Sequence, residues 1–399
     1  MSGNHERPPR TKYTLILDLA ILSIVIILFV ITFHPFGPDS SEPFPKDEVV
    51  IAAALSMEGP LQEFGLHYKE GIEMAVADVN AAGGIRGVPL RIEYLDDKGD
   101  PNVSISLMYQ IHDLGIPVAI GAIGSSNSLA MAPYADMLDI VMLSPGSTTA
   151  ALTAYKDVFR TVSSDIYQGG GMVKVLENLE DADTVMVIYL DDLYGKSLEY
   201  SFMHEIEEYS NKTVISAIAI NENTSFALDR VMDSMISGNP DVVVLMVYPE
   251  QGVRIMQAAE AAGLDPVWFG SDTMTSSDVP AQIGSYAEGL VGFTQAHKLT
   301  VPSFAQRYAD EYNGSSLSFP VSYGYDAVVL LATCIQEGGY SYDGISHALR
   351  NIRHVGICGP RVFDENGDVQ PAYDMVVLQN GTWETLKWNQ ILSYDYIRD

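Results

Sequence analysis

Basic residues are scarce in this chain: 22 lysines and arginines stand against 52 aspartates and glutamates in 399 residues, a formal net charge of −30 at pH 7. Residues 1–33 hold Arg7, Arg10 and Lys12 against Glu6 and Asp18, which leaves 19 basic and 50 acidic residues on the remainder. Such a surface repels nucleic acid and anionic lipid, so charge argues against a polyanionic partner. A high-salt habitat, which screens self-repulsion, accounts for an excess of this kind. Cysteine is nearly absent. Cys334 and Cys358 are the two in the chain, and without paired spacing they make no zinc site. In an oxidising compartment they form a disulfide; the other reading is two buried free thiols, since Cys334 lies in an apolar helical stretch. Catalytic signatures are missing as well: there is no P-loop, no HExxH, no G-x-S-x-G and no G-x-G-x-x-G after a strand. The eight histidines are scattered. Nothing points to an enzyme, a metal or a cofactor, so whatever the chain binds is its function.

Apolar residues make up 47% of the chain, and the length allows two domain-sized cores. Tyr13–Phe33 is an almost unbroken apolar run whose single charge, Asp18, lies near its start. A helix of that length spans roughly 31 Å, a bilayer core. Arg7, Arg10 and Lys12 precede it, which sets residues 1–12 in the cytoplasm and the rest outside. The rival reading is a cleaved signal peptide; the length of the run and the lack of an A-x-A site favour a retained anchor. Residues 34–47 carry Pro35, Pro38, Pro43 and Pro45 and form a stiff tether. Sequons at Asn102, Asn211, Asn223, Asn313 and Asn380 fit an extracytoplasmic placement.

From Glu48 onward short continuous apolar strands alternate with amphipathic stretches. Strands are expected at 49–55, 90–95, 118–120, 140–143, 184–190, 214–219, 241–247 and 290–293, with helices at 62–81, 195–209, 226–237 and 251–262. This alternation predicts parallel sheets covered on both faces. Residues 160–168 break it with polar residues ahead of Gly169-Gly170-Gly171 and mark a candidate crossing between lobes. Two strands run straight into Ser/Gly-rich turns, Gly124–Ser128 and Ser144–Thr149. Small hydroxyls and free backbone N–H groups at a helix N-terminus hold a carboxylate or phosphate, and turns on adjacent strands face one crevice.

Eight segments in order carry a family resemblance: GPLQEFG (59–65), EGIEMAVADVNAAGGIRG (70–87), DDKGDP (96–101), IGAIGSSNS (120–128), SPGSTT (144–149), DDLYGKS (191–197), YPEQGVRIMQAAEAAGL (248–264) and FDENGD (363–368). The chain resembles the solute-binding proteins of branched-chain amino-acid ABC transporters, type I periplasmic binding proteins, from about Val49 to Trp388. The resemblance implies an α/β fold of two doubly wound lobes joined by a three-crossover hinge, here preceded by the transmembrane helix. The expected division is a cytoplasmic N-terminus (1–12), an anchor (13–33), a tether (34–47), lobe 1 (48–163 with 296–358) and lobe 2 (164–295 with 359–390). It also implies that Ser125 and Thr148, with the backbone at Gly146, hold an α-carboxylate, that Asp272 pairs with the α-ammonium, and that Phe64, Tyr194 and Tyr248 contact the ligand. Ser147 and Asn127 are further candidate contacts. Each has a structural alternative: helix capping for Ser125, a turn role for Asp272, core packing for Phe64 and Tyr248. Two cysteines common in the family are Gly99 and Gly124 here, so that family disulfide is absent.

The function so implied is a membrane-tethered solute-binding protein that closes on a small amino acid and presents it to an ABC permease. A ligand-sensing subunit on the same fold, signalling through a partner, is the alternative, and a hydrolase of amides or peptides a more distant third. Asp364, Asn366 and Asp368 begin like a calcium loop, but Met375 stands where the last ligand belongs, which leaves turn chemistry as the better account.

Overall fold

A computed structural model describes residues 44–179, 182–221, 224–276, 278–296 and 299–387. The expected anchor at 13–33 and the sequon at Asn223 lie outside the described residues. Among the described residues no helix is long and apolar enough to cross a membrane.

The chain alternates as its periodicity requires. The first half runs β1 (Val49–Leu55), α1 (Gln62–Ala81), β2 (Leu90–Asp96), α2 (Pro101–Asp113), β3 (Val118–Gly121), α3 (Ser125–Met137), β4 (Val141–Ser144) and β5 (Val158–Arg160). The second runs α4 (Asp165–Glu177), β6 (Thr184–Leu190), α5 (Leu193–Tyr209), β7 (Thr213–Ile220), α6 (Thr224–Gly238), β8 (Val242–Met246), α7 (Pro249–Ala261), β9 (Val267–Gly270), α8 (Asp278–Ile283) and β10 (Val291–Gln295). Then come α9 (Ser303–Glu311), α10 (Phe319–Gly338), α11 (Tyr342–Asn351), the hairpin of β11 (His354–Gly356) and β12 (Gly359–Arg361), and β13 (Tyr373–Gln379) with β14 (Thr382–Thr385).

Two sheets result, of order β2-β1-β3-β4-β5 and β14-β13-β10-β9-β8-β6-β7. The first is parallel throughout, and the second is parallel except where β13 pairs antiparallel with β10 and β14. Strand order reverses beside β1 in the first sheet and beside β6 in the second, the switch points where doubly wound sheets leave a crevice at their carboxyl ends. Helix α1 buries Phe64, Tyr68, Ile72 and Ala75 along one face, the helical spacing visible in the sequence. The Gly169–Gly171 triplet belongs to α4. A Cβ on Gly171 would lie 2.2 Å from the Phe293 ring and one on Gly169 2.6 Å from the Phe202 nitrogen, so the glycines let α4 approach α5 and β10.

The chain passes between the sheets three times, at 161–164, after β10, and ahead of β13. These crossings are tied together. Ser163 N donates to Gln295 Oε1 (2.9 Å), Ala372 N to Ser163 Oγ (3.0 Å), and Tyr323 Oη to the Ala296 carbonyl (2.8 Å). Arg160, 1% exposed, is fixed at the first crossing. It donates to both Asp368 oxygens (2.6 and 2.9 Å), to the Thr148 and Thr149 carbonyls (3.0 and 2.7 Å) and to Thr153 Oγ1 (2.8 Å). The acidic turns are turns. Asp364 Oδ1 accepts the N–H groups of Asn366 and Asp368, and Asp96 Oδ1 those of Met57 and Lys98.

One expectation is corrected. Cys334 and Cys358 are both free, buried thiols. The Cys358 nitrogen is held 3.1 Å from the Asp326 carboxylate of α10, and Cys334 lies eight residues further along that helix, about 12 Å at 1.5 Å per residue. A disulfide needs Cα atoms within roughly 7 Å. Unreduced protein in denaturant is therefore expected to titrate two thiols with a thiol reagent. Arg160→Leu, which removes the cation paired with Asp368 and a donor from each of the Thr148 and Thr149 carbonyls, is expected to cost about 3 kcal/mol in urea unfolding.

Candidate functional site

The carboxyl ends of both sheets face each other across a small cavity of about 30 Å³ lined by Leu61, Phe64, Tyr68, Ile123, Gly124, Ser125, Gly146, Tyr194, Tyr248, Asp272, Thr273 and Phe319. Six sequence candidates are thus brought together: Phe64, Ser125, Gly146, Tyr194, Tyr248 and Asp272. No lysine, arginine or histidine is among the lining residues.

The first lobe contributes backbone and hydroxyls. Strand β3 delivers the chain to Gly124, whose extended backbone starts α3 at Ser125. The Ser125 hydroxyl is buried and makes no hydrogen bond within the described residues, and it stands at the positive end of the helix. After β4, Ser144 Oγ accepts the Ser147 N–H (3.0 Å) and shapes the turn. A Cβ at Gly146 would lie 3.0 Å from the Tyr68 hydroxyl and 2.9 Å from the Ile123 carbonyl, so the turn needs glycine for its close approach. The remaining candidates lie behind this surface. Ser147 Oγ donates to the Gly124 carbonyl (2.9 Å) and joins the two turns. Asn127 donates to Ser104 (2.8 Å). Thr148 is 1% exposed, and its carbonyl accepts from Arg160 and from the Asp165 N–H (2.8 Å).

The second lobe contributes a carboxylate set among aromatic rings. Asp192 caps α5 through the Gly195 N–H (2.9 Å) and places Tyr194 at the helix start. Tyr194 stacks on Tyr248 with centroids 5.5 Å apart and planes at 14°; the Tyr248 hydroxyl donates to Asp192 (3.0 Å). Tyr194 Oη donates to Asp272 Oδ1 at 2.6 Å, and the same oxygen accepts the Thr273 N–H (3.0 Å). Burial raises the Asp272 pKa above the usual carboxylate range, against the lowering effect of these bonds and of the nearby Gln168 and Gln295 amides. The Asp272 charge is in turn felt across the cleft by Tyr68, whose pKa burial has already raised.

The cleft is closed. Ser276 Oγ donates to Glu63 Oε1 across its mouth (2.6 Å), and the Ala150 N–H reaches Ser197 Oγ (3.3 Å) on another side. The sequence pattern missed Leu61, Tyr68, Ile123, Thr273 and Phe319. Tyr68 carries a core signature on α1, and Phe319 precedes Pro320 at the start of α10; the Phe-Pro helix start was its one available signal.

The sequence profile of the receptor-family ligand-binding region matches residues 67–381. A leucine-, isoleucine-, valine-, threonine- and alanine-binding protein of Pseudomonas aeruginosa is 26% identical over 348 residues, 84% of this chain and 90% of that protein. Among solved structures, a leucine-binding protein of Thermotoga maritima superposes with a TM-score of 0.77 at 24% identity, covering 85% of this chain and 98% of its own. A solute-binding protein from R. palustris in complex with benzoate gives 0.76 at 17% identity, covering 88% and 99%.

The bond from Ser276 to half-buried Glu63 contributes about 1 kcal/mol to closure. Glu63→Ala is expected to enlarge the radius of gyration of the unliganded protein in solution scattering, and an unchanged profile would show that the bond carries no share of closure.

Proposed function

The chain belongs to the receptor-family ligand-binding regions, and on that premise we propose that it is a solute-binding protein of an ABC transporter that closes on a small amino acid. One observation carries the reading: a buried carboxylate, Asp272, faces an uncharged anion cradle across a cavity lined by no basic side chain. A zwitterion matches both ends. Its carboxylate accepts from Ser125 Oγ and the free N–H groups of the first turn of α3, beside the close approach that Gly146 allows, where the helix end and donors replace a counter-charge. Its ammonium pairs with Asp272, which Tyr194 and the Thr273 N–H hold in position. Thr148 and Ser147 support the cradle from behind.

Leu61, Phe64, Tyr68, Tyr248 and Phe319 make the remaining wall apolar and aromatic, suited to a short aliphatic side chain. The leucine-, isoleucine-, valine-, threonine- and alanine-binding relative of Pseudomonas aeruginosa supports an amino-acid ligand of this kind. An aromatic acid such as the benzoate held by the R. palustris protein would leave Asp272 buried without a cation, which is costly. Hinge closure then presents the filled, closed form to the permease. The proposal places the protein outside the cytoplasm on a tether of residues 34–47, held by an anchor at 13–33; the apolar run of the sequence supports that part.

Calorimetry and thermal melts against amino acids, short-chain acids, amides and aromatic acids test the reading. A ligand at about a hundred times its Kd stabilises by about 2.7 kcal/mol. Leucine, isoleucine, valine or alanine is expected to bind, Asp272→Ala to weaken that binding more than a hundredfold, and Ser125→Ala to weaken it about tenfold. Binding of acids that lack an ammonium, with amino acids inert, would overturn the pairing with Asp272.

A further inference from the structure

A second carboxylate lies behind Asp272. Asp165 opens α4, is fully buried, and neither of its side-chain oxygens makes a hydrogen bond within the described residues. Its backbone N–H is held by the Thr148 carbonyl (2.8 Å), which fixes its place at the first crossing. Gln168, one turn along the same face of α4, neighbours Asp272. Five groups act on the charge of the Asp165 carboxyl: the Thr148 hydroxyl from the first lobe, the Ser197 hydroxyl from α5 in the second, Arg160 from β5, Asp272 from the turn after β9, and Tyr373 from β13.

The nearby cation does not answer this charge. All five N–H groups of Arg160 are engaged by Asp368, Thr148, Thr149 and Thr153. A ligand ammonium balances a single carboxylate, so the closed cleft would hold one anion too many, and a buried unpaired anion costs several kcal/mol. A proton removes that cost. Resting on the solute-binding reading above, we propose that Asp165 is a proton-bearing positioning residue, neutral in the closed form and ionised in the open form, so that closure takes up one proton. As a neutral acid it can donate to Thr148 Oγ1 of the first lobe or to Ser197 Oγ of α5 in its own lobe; separating the lobes readmits water to the carboxylate.

Burial raises the Asp165 pKa to about 7 in the closed form, with the neighbouring Asp272 charge adding to the rise and Ser197, Thr148 and Arg160 opposing it. An acid whose pKa is raised in one state stabilises that state below the raised value. The contribution is complete below the open-form pKa of about 4 and is lost as pH climbs to about 7. The Asp165 share of affinity is therefore expected to fall by up to tenfold per pH unit between about pH 5 and 7 and to level off above. Asp272 works in the opposite sense, since it must be ionised to pair with an ammonium, so the readout is the difference between wild type and Asp165→Asn.

The experiment is calorimetry of the wild type and D165N with L-leucine, and L-alanine in parallel, at pH 6 in two buffers of different ionisation enthalpy. A difference of about one proton in uptake between the proteins is expected, together with a pH profile from 5 to 8 that loses this component in D165N. Equal uptake in the two proteins overturns the inference. Asp165→Ser is read in the same way if D165N lacks a cooperative melt. Failure of both amino acids to bind the wild type at every pH overturns the solute reading and this inference with it, whereas binding with equal proton uptake overturns this inference alone.

Discussion

The Arg160 guanidinium is the contact on which the arrangement of the cleft depends. From the end of β5 its five donors join two other segments: the turn after β4 at Thr148–Thr153 and Asp368, 208 residues away. Burying a charge there is expensive and is offset only because every donor is satisfied and the partner carboxylate accepts in bidentate form. An apolar residue could fill the volume but could not orient the Thr148 and Thr149 carbonyls, and their orientation sets the turn that carries Gly146. The same engagement leaves Asp165 beside a cation already saturated with acceptors.

Two sheets of the same design then place complementary chemistry opposite each other. Each leaves a crevice at its switch point. At β1 and β3 the crevice receives the start of α3, and with it N–H groups and the Ser125 hydroxyl. At β6 and β8 it receives Tyr194 and Tyr248, with Asp272 following β9. The first lobe presents partial positive charge from its backbone and the second a carboxylate, so each half is complementary to the opposite end of one small zwitterion. That asymmetry is why a closed cleft lined without basic side chains still makes electrostatic sense.

Much of this architecture was legible. Val49–Leu55 and Thr184–Leu190 are continuous apolar runs ended by polar turns and became strands with those limits; Gln62–Ala81 kept its helical spacing from end to end. Strand β9 did not register, because four residues, Val-Trp-Phe-Gly, are too short to show a period. Strands β13 and β14 lie beyond the alternating part of the chain and pair antiparallel, so the βαβ rhythm did not announce them. At the site, the Ser/Gly turns were visible because helix starts use local chemistry. Tyr68, Phe319 and Asp165 were not, since their positions depend on which elements cross, and a tyrosine on an apolar helix face looks the same whether it faces a core or a cleft. The choice between bridged and free thiols stayed open for a similar reason: 24 residues of separation says nothing about Cys334 lying about two turns further along α10 than the contact of Cys358.

The closed state itself needs an energetic account. Bonds across the cleft mouth, such as Ser276 to Glu63 and Ala150 to Ser197, are each worth about 1 kcal/mol after exchange with water. Against them stands the cost of taking Asp272 and Asp165 out of solvent, several kcal/mol for each that stays ionised. Closure by the protein alone therefore pits weak bonds against a substantial charge penalty. A molecule can shift that balance only by as much as it binds the closed form more tightly than the open one, and a cation seated at Asp272 does so by cancelling the largest opposing term. On this account the acidic pair is what makes closure conditional on a ligand.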